Sequence, residues 1–171
     1  ATACLSTKQR TMKGDKASSK IGQRLWSRDV SLWTGEVDEQ AAIENRLGWL
    51  DAPAWFRSKI NGLVSWGDEV RAAGFDRAVV LGMGGSSLAA EVIARIFGQG
   101  PGGLALTVLD NTHPDAVRAV LESGHLKSTL FLVASKSGTT LEANVFLATF
   151  LEALRQKIGA EAGKHFVVIT D

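Results

Sequence analysis

The feature of this sequence that most restricts its fold is a regular alternation of short apolar runs and helix-like segments from residue 77 onward. The segments between the runs carry apolar residues at helical spacing. The runs are rich in β-branched residues and predict four strands: "RAVVLGM", "LALTVLD", "STLFLVAS" and "HFVVIT". A β-α-β-α-β-α-β order joins parallel strands by helices that cover both faces of the sheet. We therefore expect an α/β fold, a three-layer α/β/α sandwich with a parallel sheet.

Composition divides the chain into three parts. Residues 1–20 are rich in Ser, Thr and Lys without hydrophobic periodicity, which predicts a disordered basic linker. Residues 21–75 carry apolar residues at helical spacing and predict an N-terminal helical segment. We expect its four tryptophans between residues 26 and 55 to be core and packing residues. Residues 76–171 hold the strand–helix alternation and predict an α/β domain.

Several features argue against whole classes of function. The sequence has no run of about 18 apolar residues, so it predicts no membrane span. Its basic excess lies in residues 1–20 and not on the folded part, which argues against a nucleic-acid partner. The single cysteine, Cys4, allows no internal disulfide and is consistent with a cytoplasmic protein. His113, His125 and His165 share no metal-ligand spacing with one another or with Cys4, so we expect no metal site.

A glycine-rich turn, "GMGGSS" at residues 82–87, follows the first predicted strand. Glycines let the backbone approach a ligand closely, and the helix that follows points free N–H groups into the same space. Ser86 and Ser87 add hydroxyl donors. This chemistry favours an anion such as phosphate, or a polar sugar group, as the ligand. The alternative is a tight strand-to-helix turn with a serine cap and no ligand.

A hydroxyl-rich turn, "SKSGTT" at residues 135–140, follows the third predicted strand. A phosphate monoester accepts several short hydrogen bonds and attracts a positive charge, which Lys136 supplies here. Gly138 allows the turn. The alternative is an elaborate helix cap, because Thr139 and Glu142 have the T-x-x-E spacing of a capping box. The hydroxyl donors for a phosphate would be Ser135, Ser137, Thr139 and Thr140.

The first turn on its own is also close to a dinucleotide-binding loop. Gly82 and Gly84 fit the first two positions of the G-x-G-x-x-G/A pattern, whereas Ser87 stands at the third. Asp110 ends the second strand, where a ribose-binding acid would lie. This loop, taken alone, is therefore also compatible with a Rossmann oxidoreductase. A dinucleotide site has no evident use for the second, hydroxyl-rich turn, so the two turns together favour a phosphorylated small molecule.

Two motifs together resemble a known family. The stretch "GMGGSSLAAEV", followed some 50 residues later by "ASKSGTTLE", is similar to the first sugar-isomerase (SIS) domain of the glucose-6-phosphate isomerases. The upstream "RLWSRDVSLWTG" and "NRLGWL" most resemble the isomerase half of bifunctional transaldolase/glucose-6-phosphate isomerases. A transaldolase module would then precede the basic arm. The resemblance covers residues 21–171 and implies a flavodoxin-like first SIS domain over residues 76–171, truncated at its C-terminal end.

The resemblance also implies a function. Members of this family are aldose–ketose isomerases of glycolysis and gluconeogenesis, which interconvert glucose 6-phosphate and fructose 6-phosphate through a cis-enediol. It implies a sugar-phosphate partner, no cofactor, a cytoplasmic location and a homodimer at full length. The substrate-binding residues carried over from the two motifs are Gly84, Gly85, Ser86, Ser135, Lys136, Ser137, Thr139 and Thr140.

Other functional residues of the family have no counterpart in this sequence. The family's carboxylate base, ring-opening histidine, charge-stabilising arginine and late lysine lie farther along the chain. We therefore expect the catalytic acid/base residues beyond Asp171 and expect this chain alone to be inactive. Glu142 aligns with a family glutamate near the site and is a further possible site residue. A non-catalytic SIS module that senses sugar phosphates is the alternative function, and a Rossmann oxidoreductase is the less favoured one.

Overall fold

A computed structural model of the chain describes residues 16–170, with side chains from residue 20 onward. It divides into two compact units, residues 1–62 (the first unit) and residues 63–171 (the second unit). The division falls inside a long helix and differs from the domain boundaries that we predict at residues 20/21 and 75/76, which stay predictions. Within the described residues, no helix is both long and apolar enough to cross a membrane.

The first unit is built from helices. Helix α1 begins at Lys16, inside the segment predicted as a disordered linker, where Ala and Lys are good helix formers. The rest of that segment, residues 1–15, lies outside the described residues, as does Cys4. Asp29 accepts hydrogen bonds from Arg24 and Ser31, which lower the pKa of Asp29 to about 2. The elements are α1 (Lys16–Trp26), a 3₁₀ turn (Val30–Leu32), α2 (Val37–Glu44), a 3₁₀ turn (Leu47–Asp51) and α3 (Ala52–Ala72), which continues into the second unit.

The expectation that the tryptophans of this segment are core residues is wrong. The four tryptophans of that expectation, Trp26, Trp33, Trp49 and Trp55, are each half or more exposed, from 50% for Trp33 to 65% for Trp26. Among residues 20–62, whose side chains the structure describes, the buried ones are instead Leu47 and Leu50. A unit of this size built from short helices has too little apolar surface to enclose large indole rings.

The second unit contains a four-stranded, fully parallel sheet with strand order β2-β1-β3-β4. This confirms the predicted α/β class and parallel sheet. At the carboxyl edge, Gly82 of β1 pairs with Ala134 of β3, and Ala134 pairs with Ile169 of β4. The elements are β1 (Arg77–Gly82), α4 (Gly85–Phe97), β2 (Ala105–Leu109), α5 (Pro114–Leu121), a 3₁₀ turn (Leu126–Ser128), β3 (Thr129–Ala134), α6 (Leu141–Ile158), a 3₁₀ segment (Gly159–His165) and β4 (Phe166–Ile169).

The main core lies where α5 and α6 pack on the sheet. Phe131 of β3 stacks on Phe150 of α6, with ring centroids 4.9 Å apart, and on Phe166 of β4 at 5.1 Å. Alternate residues of the strands point into this core, as the two-residue period of a strand requires. The buried members of the core are Val79, Leu81, Leu109, Leu126, Phe131, Val133, Ala143, Phe146, Phe150, Leu154 and Ala162.

Helix α4 contacts β1 and β2 and is far more exposed than α6. This fully described helix has one buried residue, Ser87 in its first turn. Its large apolar side chains are exposed to 44% or more: Leu88, Val92, Ile93, Ile96 and Phe97. The sheet is therefore well covered where α5 and α6 pack, while α4 keeps an apolar surface open.

Candidate functional site

The two predicted turns lie side by side at the carboxyl edge of the sheet. They follow β1 and β3, which are hydrogen-bonded neighbours that end level with each other. The Ser135 N–H continues the ladder past the end of β3 by donating to the Ile169 carbonyl at 3.0 Å. Ligands of open parallel sheets bind at this edge, where strand ends and helix N-termini converge. The topology thus brings the glycine-rich and hydroxyl-rich turns together, as the sequence predicts.

The glycine-rich turn owes its shape to the absence of side chains. A Cβ on Gly82 would lie 2.9 Å from the Ala134 carbonyl oxygen, so only glycine lets β1 approach β3 this closely at its end. Gly84 has φ +54° and ψ −123°, a conformation that residues with a side chain avoid. Ser87 is buried, and its hydroxyl donates to the Gly84 carbonyl at 3.1 Å. Ser87 therefore supports the turn internally.

The hydroxyl-rich turn arranges its four hydroxyls in two pairs. The Ser135 Oγ donates to the Thr140 Oγ1 at 2.9 Å, and the Ser137 Oγ lies 2.8 Å from the Thr139 Oγ1. The Gly138 N–H donates to the Ser135 carbonyl at 3.1 Å, and Gly138 has φ +67°. In a hydroxyl pair one hydrogen is used internally and the other is left for a further acceptor. Each pair can therefore still donate one hydrogen bond to an anion.

The alternative interpretation of this turn as a capping box is wrong. Helix α6 begins at Leu141 with Thr140 as its N-cap residue, one position later than a Thr139–Glu142 box requires. The Thr140 side chain makes no capping hydrogen bond and binds Ser135 instead. The first N–H groups of an α-helix have no carbonyl partner within the helix. They remain directed at the space in front of α6, with the positive end of the helix dipole.

A cleft of about 240 Å³ joins the two turns. Its lining residues are Ser86, Ala134, Ser135, Lys136, Ile169 and Thr170. Ser86 from the first turn thus faces the same space as Ser135 and Lys136 from the second. Lys136 brings an ammonium group to this lining, and an ammonium group attracts an anion. The polar groups of the cleft are hydroxyls, an ammonium and backbone amides, which suit phosphate oxygens.

The remaining predicted site residues lie around this cleft or away from it. Gly84 is exposed beside Ser86 in the first turn, and Gly85 borders a different, apolar hollow with Leu88 and Val92 of α4. Glu142 is half-buried in the first turn of α6. Within the described part of the chain, no group of three or more His, Cys, Asp or Glu residues is placed to hold a metal ion. The second turn contributes further exposed or half-buried groups at the rim: Ser137, Thr139 and Thr140.

Two residues that contact the second turn, Asn144 and Thr170, are not predicted from the sequence. The Asn144 amide donates to the Gly138 carbonyl at 3.3 Å, and the Thr170 hydroxyl lies 3.4 Å from the Lys136 carbonyl. Asn144 sits one helical turn after Thr140, a spacing that could have suggested a contact with the turn. Thr170 is 34 residues from Lys136, and its contact depends on the pairing of β3 with β4.

The family comparison agrees with this architecture. The model of the phosphoglucose isomerase family matches residues 57–171. A glucose-6-phosphate isomerase from Mycoplasmoides gallisepticum is 31% identical over 159 residues, covering 89% of this chain and 36% of that protein. A glucose-6-phosphate isomerase from Thermus thermophilus is 33% identical over 93 residues, covering 54% of this chain and 22% of that protein. The chain thus spans between about a fifth and about a third of the length of these relatives.

Solved structures give the same picture. A hypothetical protein from Thermus thermophilus superposes with a TM-score of 0.63 at 29% identity, over 91% of this chain and 35% of that one. A glucose-6-phosphate isomerase from Chlamydia trachomatis superposes with a TM-score of 0.60 at 28% identity, over 86% of this chain and 27% of that one. The family match covers both strand-to-helix turns and the whole parallel sheet. This chain belongs to the phosphoglucose isomerase family.

Proposed function

We propose that this chain is the phosphosugar-binding part of an aldose–ketose isomerase that interconverts glucose 6-phosphate and fructose 6-phosphate. The observation that carries the proposal is the cleft in which Ser86 of one turn meets Ser135 and Lys136 of the other. Family membership supports the reaction, because relatives that share this region are named glucose-6-phosphate isomerases.

In this proposal the hydroxyl-rich turn holds the phosphate. The two hydroxyl pairs can each donate one hydrogen bond, and the uncapped start of α6 adds backbone N–H donors. Lys136 supplies positive charge at the same place. A phosphate monoester carries close to two negative charges and three terminal oxygens, so several short donors around one helix start match it.

The sugar then extends from the phosphate toward the glycine-rich turn. Ser86 lines that side of the cleft, where its hydroxyl can contact a sugar oxygen, and the exposed Gly84 lies two residues before it in the same turn. A fixed phosphate anchor would hold C1 and C2 of the open-chain sugar in place for proton transfer through a cis-enediol, because orientation lowers the barrier of the step. No cofactor takes part in this proposal.

The acid and base for that proton transfer are proposed to come from parts of the intact protein outside this chain. A general base must reach the proton that it removes, through a direct contact or one water. Glu142 lies in the first turn of α6 and is not among the residues that line the cleft. We therefore assign it no catalytic role. In the intact, cytoplasmic and homodimeric enzyme of glycolysis and gluconeogenesis that we propose, this chain binds and orients the substrate.

The proposal is tested by titrating the chain with fructose 6-phosphate, fructose and NAD separately, while following backbone amide NMR signals. Fructose 6-phosphate should shift the amides of residues 84–86 and 135–141, fructose should bind far more weakly, and NAD should cause no shift there. A Ser135→Ala/Thr140→Val double variant should lose at least about tenfold in affinity, since hydrogen bonds to charged groups are strong.

A Ser123→Ala variant is the matched control, because Ser123 is an exposed serine that accepts a hydrogen bond from the His125 N–H in a different loop. It should bind fructose 6-phosphate like the unchanged chain. Binding of NAD at the two turns without binding of fructose 6-phosphate would overturn the proposal in favour of an oxidoreductase.

A further inference from the structure

Thr170 stands at the point where the hydroxyl-rich turn meets the neighbouring strand. It follows β4 directly, and its Oγ1 lies 3.4 Å from the Lys136 carbonyl oxygen, to which it donates. The same oxygen would lie 3.4 Å from a Cβ added at Gly138, so Thr170 is also in packing distance of the middle of the turn. The turn joins β3 to α6, whereas Thr170 follows β4, so Thr170 contacts the turn from a different part of the chain.

Two of the other contacts that shape this turn are local, and a third, from the Ser135 N–H to the Ile169 carbonyl, joins its first residue to β4. The Gly138 N–H donates to the Ser135 carbonyl within the turn, and the Asn144 amide donates to the Gly138 carbonyl from α6. These bonds fix the turn relative to β3 and α6. The Thr170 bond differs because it comes from a side chain and holds the Lys136–Ser137 peptide group, in the middle of the first half of the turn, to the residue that follows β4.

The bond to Lys136 has a directional consequence. The Lys136 carbonyl and the Ser137 N–H belong to one planar trans peptide group, in which C=O and N–H point in opposite directions. Holding the carbonyl toward Thr170 therefore fixes where the Ser137 N–H points. Since the Thr170 hydrogen is used in this bond, its hydroxyl is committed to the backbone and is not available as a donor to the ligand.

We propose that Thr170 is a positioning residue of the phosphate turn, which sets the orientation of the Lys136–Ser137 peptide group for anion binding. The inference rests on the proposed function of the turn as a phosphate site. Thr170 lines the cleft together with Ser86 and Ser135. A small rotation of the Lys136–Ser137 peptide plane at this place would therefore change the affinity for a bound phosphate.

The test compares Thr170→Val, which removes the hydroxyl at nearly constant volume, with Thr170→Ser, which keeps it. Inorganic phosphate and fructose 6-phosphate are titrated into the 171-residue chain, and hydrogen exchange of the Gly138 amide is measured without ligand. The Val variant should lose about threefold to tenfold in affinity for both ligands, the range expected for one neutral hydrogen bond. Its Gly138 amide should exchange faster, and the Ser variant should restore both properties to within about twofold.

Thr107→Val is the matched control, because Thr107 is an exposed threonine on a different strand, β2. It should leave the turn and both affinities unchanged. If Thr170→Val weakens fructose 6-phosphate but not inorganic phosphate, Thr170 contacts the sugar and the positioning role is wrong. Unchanged affinity and exchange in Thr170→Val would also overturn it. If the unchanged chain binds neither ligand, the proposed phosphate site itself fails, which is a separate result from a failure of Thr170 alone.

Discussion

The two strand-to-helix turns at the carboxyl edge of the sheet have the same position relative to their strands but differ in residue type. The turn after β1 is built from glycines, and its shape depends on the close approach of Gly82 to Ala134. The turn after β3 is built from hydroxyl residues, and its shape depends on hydrogen bonds between side chains and to the backbone. The first turn therefore tolerates no added side chain at Gly82. The second turn depends on its hydroxyl groups as hydrogen-bond donors.

This difference assigns distinct tasks to the turns. A backbone without side chains lets neighbouring groups come close, so the first turn brings Ser86 to the cleft beside Ala134 and Ser135. The hydroxyl pairs of the second turn satisfy each other and still keep hydrogens for a ligand. Substitutions in the first turn should therefore act mainly on stability, and substitutions in the second mainly on binding.

Gly82→Ala should have the largest effect on stability. The added Cβ would meet the Ala134 carbonyl oxygen at 2.9 Å, a backbone atom that cannot move without separating β1 from β3. We expect a loss of about 3 kcal/mol, the upper part of the range for overpacking. Urea unfolding followed by NMR signals of β1 and β3 measures it. Gly85→Ala is the control, because a Cβ there meets nothing within 4 Å and its φ is not positive; it should unfold like the unchanged chain.

Gly138→Ala should cost about 1–2 kcal/mol, because φ +67° is strained for a residue with a Cβ. It should also weaken fructose 6-phosphate binding, since relief of the strain would turn the peptide groups of the phosphate turn. Urea unfolding and NMR titration of one sample report both quantities. Gly163→Ala, at a glycine with an unstrained φ and no neighbour within 4 Å, should change neither. A fully stable, tightly binding Gly138→Ala variant would contradict the assignment of this glycine to the turn.

Ser87→Ala should cost about 1 kcal/mol of stability, the typical value of one internal hydrogen bond, with fructose 6-phosphate affinity changed less than about twofold. The residue is buried and donates to the Gly84 carbonyl away from the cleft lining. Ser137→Ala, in the exposed second turn, should show the reverse pattern, with little change in stability and weaker binding. Thermal unfolding and titration of the two variants together test the contrast, which fails if Ser87→Ala is the weaker binder.

Glu142→Gln should have the smallest effect, below about 0.5 kcal/mol on stability, as for surface substitutions without a special contact. Thr140 is the N-cap residue and makes no capping bond, so Glu142 does not complete a capping box. Removing its negative charge next to the phosphate turn should leave binding equal or slightly tighter. A loss of about 1 kcal/mol or more in urea unfolding would restore the capping interpretation.

The sequence predicts those parts of the molecule that depend on local patterns. The four apolar runs became the four strands, and the two turns after "VVLGM" and "FLVAS" meet at the carboxyl edge because parallel strands end together. The capping-box alternative at Thr139 is wrong by one residue, since Thr139 and Thr140 are chemically equivalent caps in a sequence and the N-cap residue of α6 is Thr140. The exposure of Trp26 and Trp33 was missed because indole burial depends on how much apolar surface surrounds it.

The contacts that sequence reasoning could not find are those between distant residues. Thr170 reaches Lys136 across 34 residues, and no local spacing marks that pair. The contact between Thr170 and Lys136 can be inferred only once the register of β3 and β4 is known. In that register Ala134 and Ile169 are neighbours, which brings Thr170 close to the turn that begins at Ser135.

The position of β4 has a consequence for how a ligand would act on the fold. In the described residues β4 pairs with β3 alone, and Val168 and Ile169 are more than half exposed. An outer strand of this kind opens more readily than the centre of a sheet. Because Ser135 is bonded to Ile169, and Thr170 to Lys136, opening of β4 would release the phosphate turn. By mass action, an anion bound at the turn would then hold this strand closed and slow its local unfolding.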